Sequence, residues 1–266
     1  MTRPAVTQSA MTQPAVTQSA VTQPPRAAGR ADGKHLLAGI TSLIERVLGS
    51  VAEVGTALTA VAAAAGRPLR RADLAALRPL VAEVLARHRG FAAGAGVVLA
   101  PGVLADAQHW IDWWWADQGD GLGQLKVDLD PESAEFYDYT TTQWYREPAR
   151  TGRPCVAGPY VDYICTRKYT FTLSVPVTGP VPGGFLGVAG ADILASEVEQ
   201  MLLPGLARLG RAALISGNGR VIASSAPGLL PGVVLRPGDM GPMSTGQSTA
   251  AGSLPWMLVT EPGSPG

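Results

Sequence analysis

Residues 167–192 read RKYTFTLSVPVTGPVPGGFLGVAGAD, and this stretch decides the fold class. From residue 169 to residue 175, large apolar side chains alternate with Thr and Ser, which is the pattern of a strand with one buried face. A turn rich in Pro and Gly, at 180–184, leads into a second apolar segment at 185–191, which we also predict to be a strand. The stretch therefore predicts an antiparallel pair and not a crossover through a helix.

The neighbouring segments extend this pattern in both directions. Three earlier strands are predicted, at 95–99, 109–115 and 124–129. A helix over 196–203 follows the pair, and Ser196 with Glu199 fits a capping box at its start. Because strands do not alternate with helices, we expect an α+β fold with an antiparallel meander and no dinucleotide-type sheet.

Residues 34–66 are predicted to form one long helix with an apolar seam. Two series repeat every seven residues and are offset by four: Ile40, Val47, Val54, Val61, and Ile44, Val51, Leu58, Ala65. The seam fits two arrangements, packing on the helix's own domain or a homodimer through Ile40–Ala65. After a break at Gly66-Arg67-Pro68, a second helix is expected over 71–89.

The two ends of the chain differ from its middle. A decapeptide rich in Thr, Gln, Ser, Ala and Pro repeats near the N-terminus, so residues 1–33 are predicted to be a disordered tail. Residues 206–266 are predicted to form a smaller, partly irregular β-rich module. It contains a hairpin at Asn218-Gly219 and a last strand at 256–260. Residues 67–205 remain as the main domain.

Composition excludes several classes of function. Twenty-one basic side chains balance twenty-one acidic ones, so nothing favours nucleic acid or an anionic membrane. The apolar window 47–66 contains Glu53 and is rich in Ala and Gly, so we expect no membrane insertion, and a cytoplasmic protein. Hydrolase, metalloprotease and P-loop motifs are absent from the sequence, which predicts no enzyme, no metal site and no cofactor.

Tyrosines are concentrated in residues 137–169, which contain all six of the chain. Such residues are common in half-buried strands and cores, and this explanation stays open for Tyr137 and Trp144. Aromatic rings with carboxylates among them also suit an organic cation. From the neighbouring strand, Trp110 and Trp114 are further candidates to line such a pocket.

The spacing within this stretch resembles the signature of double Cache domains, the PAS-like sensor modules of chemoreceptors. The residues that match are Tyr137, Trp144, Tyr145, Tyr160, Asp162 and Asp192. The resemblance implies a PAS-like antiparallel sheet behind the long helix, a small-molecule site at these residues, and a second module shortened in this chain. In the amino-acid-binding branch, the Tyr and Asp residues hold the ligand's amino group.

One position departs from that branch. Thr142 stands where the branch has an arginine that holds the ligand carboxylate. Threonine cannot form a bidentate pair with a carboxylate, so the resemblance points to the amine-binding variant. Asp162 and Asp192 would repel each other in an aromatic pocket unless a cation lay between them. We therefore expect a sensory protein that binds a small protonated amine without catalysis.

Two other functions remain open at this point. An amine-processing enzyme would convert the bound amine, and a structural module would bind no small ligand and would dimerise through the seam. A sensor would pass its signal to a separate regulator or output protein.

Overall fold

The computed structural model describes residues 26–116, 121–164, 168–179, 184–235, 248–250 and 254–261. The predicted disordered repeat in residues 1–25 and the predicted turn at 180–183 lie outside these residues. Residues 26–33, expected in the tail, belong to the first helix.

The described elements follow one another as a long helix, a mixed main domain and a second small sheet. The helices are α1 (Arg26–Ala65), α2 (Arg78–Arg87), α3 (Gln143–Thr151) and α4 (Ala195–Arg208), and short 3-10 helices span Arg71–Leu77 and Tyr139–Thr141. The first six strands are β1 (Ala92–Leu99), β2 (Trp110–Ala116), β3 (Leu122–Gln124), β4 (Cys155–Val161), β5 (Tyr169–Thr178) and β6 (Phe185–Leu194). The last four are β7 (Ala212–Ser216), β8 (Val221–Ser224), β9 (Ser248–Ala250) and β10 (Trp256–Thr260).

The main sheet has the order β3-β2-β1-β6-β5-β4, and every pairing in it is antiparallel. The predicted pair formed by β5 and β6 is confirmed, and it places Thr172 opposite Asp192. β3 is shorter than predicted, because residues 125–129 leave the sheet. The predicted α+β fold with a long N-terminal helix and an antiparallel sheet is confirmed.

The two faces of the main sheet differ in chemistry. On one face, Phe171, Leu173 and their neighbours on β1 and β6 join the core that contains α1. On the other face, Thr172, Ser174 and Asp192 are buried polar residues. This follows from the alternation of side chains along a strand, so the face that α1 does not cover is the one that carries polar groups.

The apolar seam of α1 packs against its own sheet. Six seam residues are 2% exposed or less: Ile40, Ile44, Val47, Val51, Val54 and Leu58. Val61 and Ala65 are partly buried against the same core. Each such side chain contributes about 1.5–3 kcal/mol through burial. Packing of the seam within its own chain is therefore confirmed, and the homodimer through Ile40–Ala65 stays a prediction.

One described helix, Asp32–Ala65, is long and apolar enough to cross a membrane by length and composition alone. Core helices of soluble proteins pass the same test. The burial of its seam against the sheet accounts for its apolar character in this fold.

The second sheet has the order β8-β7-β10-β9, and its hairpin turns at Asn218-Gly219 as predicted. Its core is continuous with the main one, since the rings of Phe171 and Trp256 lie 5.2 Å apart. The predicted Ser196 cap is wrong. Leu194 is the N-cap of α4 and makes no side-chain capping bond, and Ser196 lies inside the helix.

Candidate ligand-binding site

Trp113 forms the floor of a cavity on the polar face of the main sheet. Its indole lies over glycines of β1 and β6. A Cβ on Gly94 would lie 2.7 Å from the indole Nε1, and one on Gly190 would lie 3.1 Å from its Cη2. Only the absence of side chains at these positions lets the ring lie against the sheet. Gly94 pairs with Asp192, so the indole and this carboxylate are neighbours.

A chain of hydroxyl groups holds the Asp192 carboxylate. Thr172 Oγ1 donates to Asp192 Oδ1 at 2.6 Å. The Tyr160 hydroxyl makes a short hydrogen bond with the same Thr172 Oγ1. Because Thr172 has one hydroxyl proton and gives it to Asp192, Tyr160 must donate to Thr172.

An irregularity in β4 turns two of the predicted residues toward this cavity. The pairing of β4 with β5 shifts between Ala157 and Tyr160, at Gly158-Pro159. An extra residue in a strand moves the following side chains to the opposite face. The bulge thereby places Tyr160 and Asp162 on the same side as Ala157, and all three line the pockets described below.

The wall opposite the sheet is formed by α3 and the segment before it. Ser174 Oγ donates to the carbonyl of Trp144 at 2.6 Å, which fixes the start of α3 on the polar face of the sheet. Thr142 precedes α3, and its Oγ1 donates to the carbonyl of Tyr139 at 2.7 Å. The Tyr139 hydroxyl in turn donates to the carbonyl of Leu99 at 2.7 Å, which ties this wall to β1.

Two adjoining cavities lie between these walls. The inner one has a volume of about 40 Å³ and contains Asp192 and Trp113 in its lining. The outer one has a volume of about 440 Å³ and opens past Tyr163, which is 77% exposed. Five residues line both: Tyr137, Trp144, Tyr160, Asp162 and Ile164. None of the described lining residues of either cavity is Lys, Arg or His.

Two carboxylates, Asp162 and Asp192, line the inner cavity. Burial raises the pKa of Asp192 to about 7. The hydrogen bond from Thr172 lowers this pKa, and the charge of the nearby Asp162 raises it. The Trp113 indole N–H also lowers this pKa, although its contact falls short of hydrogen-bond geometry in the described part of the chain. Burial, with both carboxylates adding to it, also raises the pKa values of Tyr137 and Tyr160. A positive charge between the carboxylates would relieve their repulsion.

Six of the seven predicted site residues line these cavities: Tyr137, Thr142, Trp144, Tyr160, Asp162 and Asp192. The seventh, Tyr145, does not. It is 6% exposed and packs edge-on against Tyr139, Trp144 and Phe185. Tyr145 is therefore a packing residue behind the wall.

Trp110 and Trp114, the two open candidates from the neighbouring strand, line neither of these cavities. Both rings lie under guanidinium groups on the opposite side of β2, with Arg71 5.1 Å above Trp110 and Arg78 4.7 Å above Trp114. Trp113, on the alternate face, is the tryptophan of β2 that lines the cavity.

Sequence reasoning also missed Thr172 as a site residue. Its signal was the alternation along β5, which had already placed it on the polar face. The missing information was its pairing partner, because the register of β5 with β6 brings it to Asp192.

The part of the chain that contains this site is similar to sensor domains of known receptors. Residues 78–200 match the family model described as methyl-accepting chemotaxis protein-like, first PDC sensor domain. The chain is 34% identical over 123 residues to the methyl-accepting chemotaxis protein TlpQ of Pseudomonas aeruginosa. That similarity covers 45% of this chain and 16% of the receptor, so the chain matches a small part of its length.

Solved structures share the fold across most of the chain. The extracellular domain of a histidine kinase, soHK1S-Z6, has a TM-score of 0.62 at 16% identity, covering 88% of this chain and 93% of that one. The ligand-binding domain of the Pseudomonas aeruginosa amino-acid chemoreceptor PctC, in complex with GABA, has a TM-score of 0.55 at 20% identity, covering 88% and 98%.

The ligand-binding domain of the Pseudomonas fluorescens chemoreceptor CtaA, in complex with L-valine, has a TM-score of 0.54 at 14% identity. The match covers 88% of this chain and 95% of that one. This coverage exceeds what residues 1–205 could supply, so the shared fold extends into the second module. The fold is that of Cache-type ligand-binding domains, and the matched residues resemble chemoreceptor sensor domains and not enzymes.

Proposed function

We propose that this chain is the ligand-binding part of a signalling protein, and that its ligand is a small protonated amine. The observation that carries the proposal is the pair of carboxylates at the inner cavity, where Asp192 is buried and Asp162 adds to its raised pKa. Taking a carboxylate out of water is costly unless a cation or a proton neutralises it. An ammonium group would supply both charge and hydrogen-bond donors.

The rest of the ligand would occupy the outer cavity. Thr142 lies in its lining, and its hydroxyl is already engaged with the carbonyl of Tyr139. With no described Lys, Arg or His in the lining, a ligand carboxylate finds no cationic partner there. This favours an amine over an amino acid, although PctC and CtaA were solved with GABA and L-valine.

Titration calorimetry with a panel of alkylamines and amino acids tests the proposal. We expect alkylamines to bind, and Asp192→Asn and Asp162→Asn each to lower the affinity at least about tenfold, as for a lost charged hydrogen bond. Glu132→Gln, at an exposed carboxylate outside both cavities, is the matched control and should leave binding unchanged. Amino acids binding more tightly than the matching amines would contradict the proposal.

Signal output is proposed to pass to a separate protein or to a part of the receptor outside the matched region. The cytoplasmic location expected from the sequence stays a prediction. Cell fractionation with an antibody against the natural protein would test it.

A further inference from the structure

We infer that the ligand nitrogen is a primary ammonium and that the inner cavity rejects its N-methylated counterparts. The inference rests on the proposed function, because it concerns which amines the same cavity accepts. It follows from the kind of atoms that the cavity presents to a cation.

Hydroxyl and carboxylate oxygens line the inner cavity beside the Trp113 and Trp144 rings. The Tyr160 hydroxyl is linked to the Asp192 carboxylate through Thr172, and Tyr137 lines the same cavity. Both carboxylates add to the raised pKa values of the two tyrosines. Quaternary ammonium ions are recognised chiefly by the faces of aromatic rings. Here the tyrosines present their hydroxyl ends, which suits a cation that donates hydrogen bonds.

The hydroxyl chain leaves acceptors directed at the ligand. Since Tyr160 donates its proton to Thr172, and Thr172 donates to Asp192 Oδ1, the phenol oxygen of Tyr160 keeps lone pairs that can accept. The Tyr137 hydroxyl makes no hydrogen bond within the described part of the chain and can accept as well. Together with the two carboxylates, these groups supply enough acceptors for the three N–H donors of a primary ammonium.

A quaternary ammonium would bind less favourably to these groups. It has no N–H, so the buried carboxylate of Asp192 would gain charge neutralisation without a hydrogen bond. The phenol oxygen of Tyr160, which keeps its accepting lone pairs, would likewise meet no donor on such a cation.

Thr172 is accordingly a positioning residue for this preference. Without its hydroxyl, the Tyr160 proton can turn to Asp192, and both the phenol oxygen and the carboxylate lose part of their accepting capacity. Thr170 offers a matched control on the same face of β5. It is fully buried, it donates to the carbonyl of Lys168 at 3.2 Å, and it lines neither cavity.

Calorimetry with butylamine and its N-methyl, N,N-dimethyl and N,N,N-trimethyl derivatives tests the inference on the unaltered protein. We expect affinity to fall with each methyl group, and the primary amine to bind at least about tenfold more tightly than the trimethyl ion. A trimethyl ion that binds as tightly as butylamine overturns the inference while leaving the amine-binding function intact. If no member of the series binds, the proposed function itself fails.

Two variants of β5 test whether Thr172 causes the preference for the primary amine. Thr172→Val should weaken butylamine binding several-fold. It should also reduce the ratio of the affinity for butylamine to the affinity for the trimethyl ion. Thr170→Val should leave both the affinity and this ratio unchanged. Thermal unfolding of both variants shows whether they are folded to the same extent. If Thr170→Val reduced this affinity ratio as much as Thr172→Val does, the role given to Thr172 would be refuted.

Discussion

At the scale of single residues, Asp192 governs the chemistry of the site. Burial raises its pKa to about 7, so the empty site holds a proton at mildly acidic pH. Alkylammonium groups, with pKa values near about 10, remain charged throughout this range. An amine bound as we propose would therefore compete with a proton for the same carboxylate.

This competition predicts a pH-dependent affinity. Below about pH 7, we expect the affinity for a primary amine to fall by about tenfold per pH unit, and above about pH 8 to be constant. Calorimetry between pH 5 and 8 would measure it. An affinity that stays constant over that range would show that Asp192 is ionised throughout.

The stability of the empty protein should respond in the opposite sense. The folded chain keeps the Asp192 proton to about pH 7, whereas the unfolded chain releases it near the ordinary value of 3.8. Between these values the folded state binds more protons, so this residue makes the free energy of unfolding decrease as pH rises. Urea unfolding of the unaltered protein and Asp192→Asn across this range should differ in slope by up to about 1.4 kcal/mol per pH unit. Equal slopes would contradict the assignment.

At the scale of elements, the glycines of β1 and β6 determine where the Trp113 ring lies. A Cβ on Gly190 would approach the carbonyl of Leu173 to 2.9 Å and the Trp113 ring to 3.1 Å. We expect Gly190→Ala to destabilise the protein by about 1–3 kcal/mol and to weaken amine binding by displacing the ring. Gly49→Ala, on the open face of α1, meets nothing within 4 Å and should stabilise by about 0.5–1 kcal/mol. Chemical denaturation measures the free energy of unfolding of both variants. If Gly190→Ala left it unchanged, the close packing of the Trp113 ring on Gly190 would be excluded.

The seam of α1 gives a second prediction at this scale. Val54 is 2% exposed in the core of its own chain, so Val54→Asp buries an unpaired carboxylate. We expect a loss of more than about 3 kcal/mol in the free energy of unfolding. Ala52→Asp, on the exposed side of the same helix, should change it by less than about 0.5 kcal/mol. If Val54→Asp left the protein folded and only abolished a dimer, the seam would be a contact between two chains.

At the scale of the whole molecule, one core connects both sheets through α1 and α4. The contact of Phe171 with Trp256 joins the main sheet to the second one directly. We expect a single cooperative unfolding transition, with tryptophan fluorescence and far-ultraviolet circular dichroism changing together. Separate transitions would mean that residues 206–261 unfold on their own.

The strand periodicity was sufficient to predict the pair formed by β5 and β6. The seven-residue apolar repeat predicted the long helix, and Asn218-Gly219 predicted the second module's hairpin. The strand periodicity could not tell which face of β2 meets the cavity, because that depends on which face α1 covers in three dimensions. The open candidates Trp110 and Trp114 therefore lie on the other face, and Trp113 lines the cavity. Tyr145 shows the same limit, since adjacent positions on α3 point in different directions and only Trp144 reaches the cavity.

A crystal structure with bound butylamine would show whether the ammonium group lies between Asp192 and Asp162, as we propose. The measurement is the distance from the ligand nitrogen to the carboxylate oxygens. We expect nitrogen–oxygen distances below about 3.2 Å to both residues. A ligand nitrogen in the outer cavity, more than about 4 Å from either carboxylate, would contradict it.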